Sequence, residues 1–205
     1  MATRTVATLA RTRRSSAPEP EVRLRGVLAA LALVLVALPA QSLEVGGIES
    51  DLKDGVYRVA FRAVLDAPVN AVVAVLTDFA GYRALDPRIR SSEVLGRTRS
   101  GEVLIRTRVR VCAAFFCRDV ERVERVTSGE GSLVAEVVPG RSDFHRGLTQ
   151  TRWRAARGRT SISYTAEFEP DFWVPAIVGH SYAVNELRES TLKLFENVED
   201  RARRP

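Results

Sequence analysis

One stretch near the end of the chain, Trp173 to Arg204, carries a long helical pattern in a sequence that otherwise reads as short strands. Ile177, Ser181, Val184, Leu187, Thr191, Leu194 and Val198 recur at steps of three and four, which puts a mildly apolar stripe along one side of a helix. Arg188, Glu189, Lys193, Glu196, Glu199 and Arg201 fill the other side and read as its solvated face. Pro175 suits the first turn, where a missing N–H is no loss, and Asp171 stands upstream as a cap, so the helix is expected to start between Trp173 and Pro175. A stripe of medium aliphatics broken by Ser181 and Thr191 suits a helix that closes over a curved sheet or a cavity.

The rest of the chain supplies the sheet. Val56 to Leu65 alternates Tyr57, Val59, Phe61 and Ala63 with Arg58, Ala60, Arg62 and Val64, the period of a strand with one buried face. Asp66-Ala67-Pro68 ends it, and Pro68 to Tyr82 switches to helical spacing through Val72, Val75, Leu76 and Phe79, with Gly81 closing the helix. Leu85-Asp86-Pro87 belongs to a second short helix or turn. Six strands follow: Glu93 to Thr98, Val103 to Cys112, Phe115 to Val126, Ser132 to Val138, Leu148 to Ala155 and Ser161 to Phe168. Arg99-Ser100-Gly101, Ser128 to Gly131 and Arg157-Gly158 read as tight turns, so neighbouring strands are expected to be antiparallel. The order defines an α+β domain in which a curved antiparallel sheet of about seven strands wraps the last helix.

The chain has 205 residues, a formal charge of +6 and a pI near 10.0, values that raise nucleic acid or anionic lipid as partners. Most of the excess sits in the first 42 residues, where six arginines face two glutamates. That segment also holds an uncharged run from Gly26 to Leu38, Pro39, and the small-x-small triplet Ala40-Gln41-Ser42. This is the layout of a secretory signal peptide, whose apolar run of about 7–15 residues is shorter than the roughly 20 that span a bilayer. Cleavage after Ser42 or Ala40 is expected, with an uncleaved membrane anchor as the alternative. Residues 43 to 55 then form a lead-in and 56 to 204 one domain, periplasmic or secreted, with no nucleic-acid partner.

Cys112 and Cys117 bracket four residues. A hairpin loop makes them direct partners, and the same register sets Arg110 opposite Asp119, Arg108 opposite Glu121, and Val109 opposite Val120. In an exported protein the pair is expected to be a structural disulfide, and two thiols without a nearby histidine do not make a zinc site. The basic rows Arg106, Arg108, Arg110 and Arg152, Arg154 read as a solvated sheet face with acidic cross-strand neighbours. Arg118 falls opposite Val111 on the apolar face and suits a cavity rim that meets a polar headgroup.

Chemistry finds little purchase. His145 reads as a solvated loop residue and His180 as a helix-surface or cavity-rim residue. Gly179 to Ala183 (GHSYA) resembles a nucleophile elbow only superficially, since its last position is Ala183 and it falls inside a helix. Glu167, Glu169 and Asp171 read as outward charge. No catalytic set, metal site or cofactor is assigned. The inward-facing residues are Thr107, Val109, Thr151, Trp153, Tyr164 and Phe168 from the sheet and Ile177, Ser181 and Val184 from the helix. With Arg118 they are the expected lining of a small-molecule cavity, a mixture that an ordinary core would also present.

On the stretches Asp66 to Pro87 (DAPVNAVVAVLTDFAGYRALDP) and Thr160 to Pro175 (TSISYTAEFEPDFWVP) and the helix after them, residues 56 to 202 resemble the START/polyketide cyclase superfamily (SRPBCC, the helix-grip fold), nearest its coenzyme-Q-binding branch. The resemblance implies a hydrophobic cavity between sheet and long helix that holds a lipid, an isoprenoid quinone or a similar apolar molecule. The expected function is an exported binding or carrier protein for such a molecule, with transient membrane contact. A cyclase- or hydrolase-like enzyme using the same cavity, or a protein-interaction module, is the alternative.

Overall fold

In a computed structural model the described residues are 43–113, 116–173 and 180–204. They form one sheet of eight antiparallel strands and a long terminal helix, as the α+β reading expects. The strands are β1 (Glu44–Lys53), β2 (Val56–Leu65), β3 (Ile89–Arg97), β4 (Val103–Ala113), β5 (Phe116–Gly129), β6 (Ser132–Val137), β7 (Phe144–Ala156) and β8 (Arg159–Pro170). Their spatial order is β1-β2-β8-β7-β6-β5-β4-β3, so the hairpin β1–β2 adds to the far edge of a meander that runs from β3 to β8. Two tight turns set the register there: Asp54-Gly55 between β1 and β2 and Arg157-Gly158 between β7 and β8 both have positive φ at each central residue. That backbone matches the twist of the flanking strands.

The helices lie against the inner face. α1 (Val69–Thr77) opens at the extended Pro68 and buries Val72, Val75 and Leu76. It stops five residues before the expected end at Tyr82, because Asp78 turns the chain: its carboxylate accepts from the Gly81 N–H at 3.2 Å and starts a 3-10 helix, Phe79–Ala84. Helix α2 is described from His180 to Ala202. The expected start between Trp173 and Pro175 runs into residues 174–179, which lie outside the described ones, as do residues 1–42 with the signal-peptide reading.

The core is where α2 is gripped. Phe195 stacks on Phe61 of β2 with ring centroids 4.8 Å apart and meets Tyr164 of β8 edge-on at 5.2 Å. Leu65, Val72, Ile162 and Val198 close around them, and a second cluster of Phe79, Val103, Ile105, Val126 and Leu133 fills the concave face under β4 to β6. Burying an aromatic or aliphatic side chain of this size contributes about 1.5–3 kcal/mol before chain entropy is set against it.

Three expectations are corrected. The sheet has eight strands, because the lead-in of residues 43–55 contains β1, whose Gly46-Gly47 pair and bulge hide the strand period. Both helices near the front of the domain therefore follow the second strand. The buried stripe of α2 runs through Thr191, Phe195, Val198 and Ala202, so Phe195 takes the deep position assigned to Leu194, which is only partly buried. Glu199, read as solvated, is 3% exposed. Its oxygens accept the backbone N–H groups of Leu43 (3.1 Å) and Asp66 (2.8 Å).

Candidate functional site

The β4–β5 hairpin has the register read from its charges: Cys112 pairs with Cys117, Arg110 with Asp119, Arg108 with Glu121, Val109 with Val120 and Val111 with Arg118. The Cys112–Cys117 disulfide closes its tip. Alternation from that tip points Arg118 and Val120 inward, toward the N-terminal half of α2.

Between them lies a cleft of about 250 Å³. Val111, Arg118 and Val120 form one wall, Phe144, Phe168, Pro170 and Phe172 from the ends of β7 and β8 a second, and Ala183, Leu187 and Ser190 of α2 the roof. Tyr57 also lines it, as do Trp173 and Tyr182, which are 76% and 44% exposed. The rings of Phe144 and Phe168 lie 5.8 Å apart and those of Phe144 and Phe172 6.1 Å. Close approach is arranged by Gly147, which pairs with Phe168 across β7–β8. A Cβ there would come within 3.0 Å of the Phe168 ring and 2.6 Å of Val137.

Charge is confined to the rim, and it is neutralised there. The Arg88 guanidinium bonds to Asp86 (Nη2–Oδ2 2.5 Å) and donates to Glu186 of α2 (2.8 Å), tying the helix to the entry of β3. Burial of Asp86 opposes ionisation, but hydrogen bonds from the Arg88 side chain and backbone N–H hold its carboxyl below the usual value. Arg118 lies over the Phe172 ring, 4.5 Å from its centroid, with Asp143 at 3.6 Å. A cation in this setting is anchored at the mouth while its stem covers apolar surface.

Of the residues expected to line a cavity, Arg118 and Phe168 stand on this wall. Thr107 and Thr151 are buried deeper, the Thr107 hydroxyl donating to the Arg122 carbonyl at 3.4 Å. Tyr164 packs on Phe195, and Trp153 packs against both core clusters. Val109 is half-buried opposite Val120 and is not on the wall. On the helix, Val184 is half-buried, with its carbonyl accepting from Ser50 at 3.2 Å, and Ser181 is exposed. Neither lines the cleft, because the register of α2 is turned toward Leu187 and Ser190. Ile177 lies outside the described residues. His145 sits in β7 instead of a loop, exposed, with Nε2 3.0 Å from Asp171.

The sequence pattern did not single out a half-buried arginine paired with a buried glutamate next to the cleft. Arg122 Nε is 3.0 Å from the Glu124 carboxylate, and the Arg122 guanidinium stands 5.1 Å from the centroid of Phe168. Burial drives the Glu124 carboxyl above its ordinary value, and the neighbouring guanidinium only partly offsets this. Tyr164, packed nearby with its side chain largely out of water, is pushed up to about 12 by that desolvation. The signal was available: alternation from the inward Arg118 and Val120 carries 122 and 124 onto the same face, and a charge on a core face is the informative exception.

An aromatic cleft under a gripped helix, closed by an antiparallel sheet, defines a helix-grip domain. Residues 57–197 match the family described as polyketide cyclase / dehydrase and lipid transport, and the chain belongs to that family. Solved structures share the fold at low identity. A START superfamily protein from Mycobacterium smegmatis is 17% identical with a TM-score of 0.55, covering 70% of this chain and 97% of that one. A STAR-related lipid transfer protein from Xanthomonas axonopodis is 17% identical with a TM-score of 0.55, over 80% and 100% of the two chains. The Zhui aromatase/cyclase from Streptomyces sp. R1128 is 18% identical with a TM-score of 0.54, over 73% and 95%. No curated protein matches the chain.

Proposed function

We propose that this protein is an exported carrier that holds an apolar small molecule, a lipid or an isoprenoid quinone, in the cleft under α2 and exchanges it at a membrane surface. The observation that carries the reading is the wall itself: Val120, Phe144, Phe168, Phe172 and Leu187 offer apolar surface, while Arg88 and Arg118 at the rim face carboxylates. Such a site gains affinity from removing ligand surface from water and keeps its polar groups for orientation. Of the carboxylates, Glu186 lines the cleft but is held by Arg88 at 2.8 Å, and the buried Glu124 is not on the wall, an arrangement that suits carriage. The family, described for polyketide cyclase / dehydrase and lipid transport, supports an apolar ligand in either case, and a cyclase-like enzyme using the same cleft is the alternative. The leader-like first 42 residues motivate export.

The test is displacement of a fluorescent fatty-acid or quinone analogue from the purified protein. Wild type is expected to bind one equivalent, and Leu187→Trp, which fills the roof of the cleft, to lose at least tenfold in affinity while remaining folded. Equal binding by both proteins would place the ligand elsewhere and overturn the assignment.

A further inference from the structure

Arginines on the outer face of the sheet mostly answer a carboxylate. Arg58 lies 3.6 Å from Glu167, Arg106 3.0 Å from Glu93, Arg108 3.0 Å from Glu121, Arg110 3.3 Å from Asp119 and Arg146 2.6 Å from Glu169. Arg62, Arg152 and Arg154 break this pattern, and for the last two the expected acidic neighbours are missing. The register sets Arg62 and Arg152 on either side of Ser163 and places Arg154 opposite Ser161. Ser132 is the other neighbour of Arg152, and Gly47 that of Arg62. Among the described residues none of the three has an ion pair or a side-chain hydrogen bond. Glu44, the one acid lining the hollow they share, is engaged by Arg159 at 2.6 Å.

The three arginines and two serines line one open hollow of about 500 Å³. Gly46 and the small serines keep its floor low. Strands two apart in a sheet are separated by roughly 10 Å, so Arg62 and Arg152 can close on a single tetrahedral oxyanion held over Ser163. Guanidinium forks match phosphate oxygens two at a time, and serine hydroxyls add donors. Like charges gathered without a counter-charge repel one another, and a bound anion relieves that repulsion. We infer that this hollow is a binding site for a phosphate-bearing anion, distinct from the cleft: Ser163 and the cleft residue Phe168 are five residues apart on β8, roughly 17 Å.

Isothermal titration of the full chain with pyrophosphate tests this, alongside flotation with phosphatidylglycerol and phosphatidylcholine vesicles. Saturable binding of pyrophosphate is expected, weakened about tenfold by Arg62→Gln and by Arg152→Gln, since one charge-assisted contact is lost in each. Arg108→Gln, which removes a paired arginine from the same face, should leave it unchanged. Binding confined to phosphatidylglycerol vesicles and lost in the same two variants would support the same phosphate chemistry, supplied by a lipid headgroup. No binding to either probe, or binding that survives both substitutions, would overturn the site. All of these variants are on the solvated face, and an unchanged unfolding temperature shows that the fold is kept.

Discussion

The buried Glu199 carboxylate accepts the backbone N–H of Asp66 at 2.8 Å, and its second oxygen accepts that of Leu43 at 3.1 Å. One side chain on α2 thereby closes the end of β2 and the approach to β1, two places where the backbone leaves the ladder. Glu199→Ala leaves two part-buried donors without this acceptor and should lower stability by roughly 2–4 kcal/mol, read as a reduced denaturant midpoint. Glu199→Gln retains one acceptor oxygen and should fall between.

Gly147 makes room for Phe168 in the cleft wall. Gly147→Ala forces the ring or Val137 aside and is expected to cost about 1–3 kcal/mol, as overpacking does. The substitution should also weaken an apolar ligand more than it lowers stability, because it moves a cleft wall. Measuring thermal unfolding and ligand affinity on the same preparation checks both.

The Cys112–Cys117 bond staples the tip that carries Val111 and Arg118. Closing so short a loop removes about 2 kcal/mol of unfolded-chain entropy. The double variant Cys112→Ser/Cys117→Ser should lose that much at most, and ligand dissociation should speed up as the hairpin tip loosens. Stopped-flow release of a bound fluorescent analogue measures it.

Glu124 gives stability a slope with pH. Its native carboxyl keeps a proton to higher pH than the unfolded chain does, since burial raises it above the ordinary value of 4.5. In the window from about pH 4.5 up to its native value the folded state binds more protons. Stability there falls as pH rises, by at most about 1.4 kcal/mol per unit. Glu124→Gln should flatten that part of the profile. An unchanged profile in urea titrations across the window would contradict the assignment.

The strands were legible because alternation in β2 and the cross-strand charges of β4 and β5 constrain register on both faces at once. Arg108 with Glu121 and Val109 with Val120 agree only in one alignment. β1 escaped because Gly46-Gly47 and a bulge erase its period, and its edge position asks for little apolar surface. The helix was legible as a helix but not in its rotation: Leu194 and Phe195 both fit a stripe, and contact with Phe61 decides between them. Glu199 was misread because a charge on a helix suggests solvent, whereas its partners are backbone groups more than a hundred residues away. The cleft was legible in kind, an apolar space with Arg118, Phe168 and the helix stripe that holds Leu187, but Phe144 and Phe172 entered only once the strand ends were placed.

The most direct measurement is native mass spectrometry with lipid extraction on the purified protein, comparing wild type with Leu187→Trp. A stoichiometric lipid or quinone bound to wild type and depleted in the variant is the result expected of a carrier whose ligand lies between Phe168 and α2. An empty wild-type protein that also takes up no apolar ligand when one is supplied would contradict it.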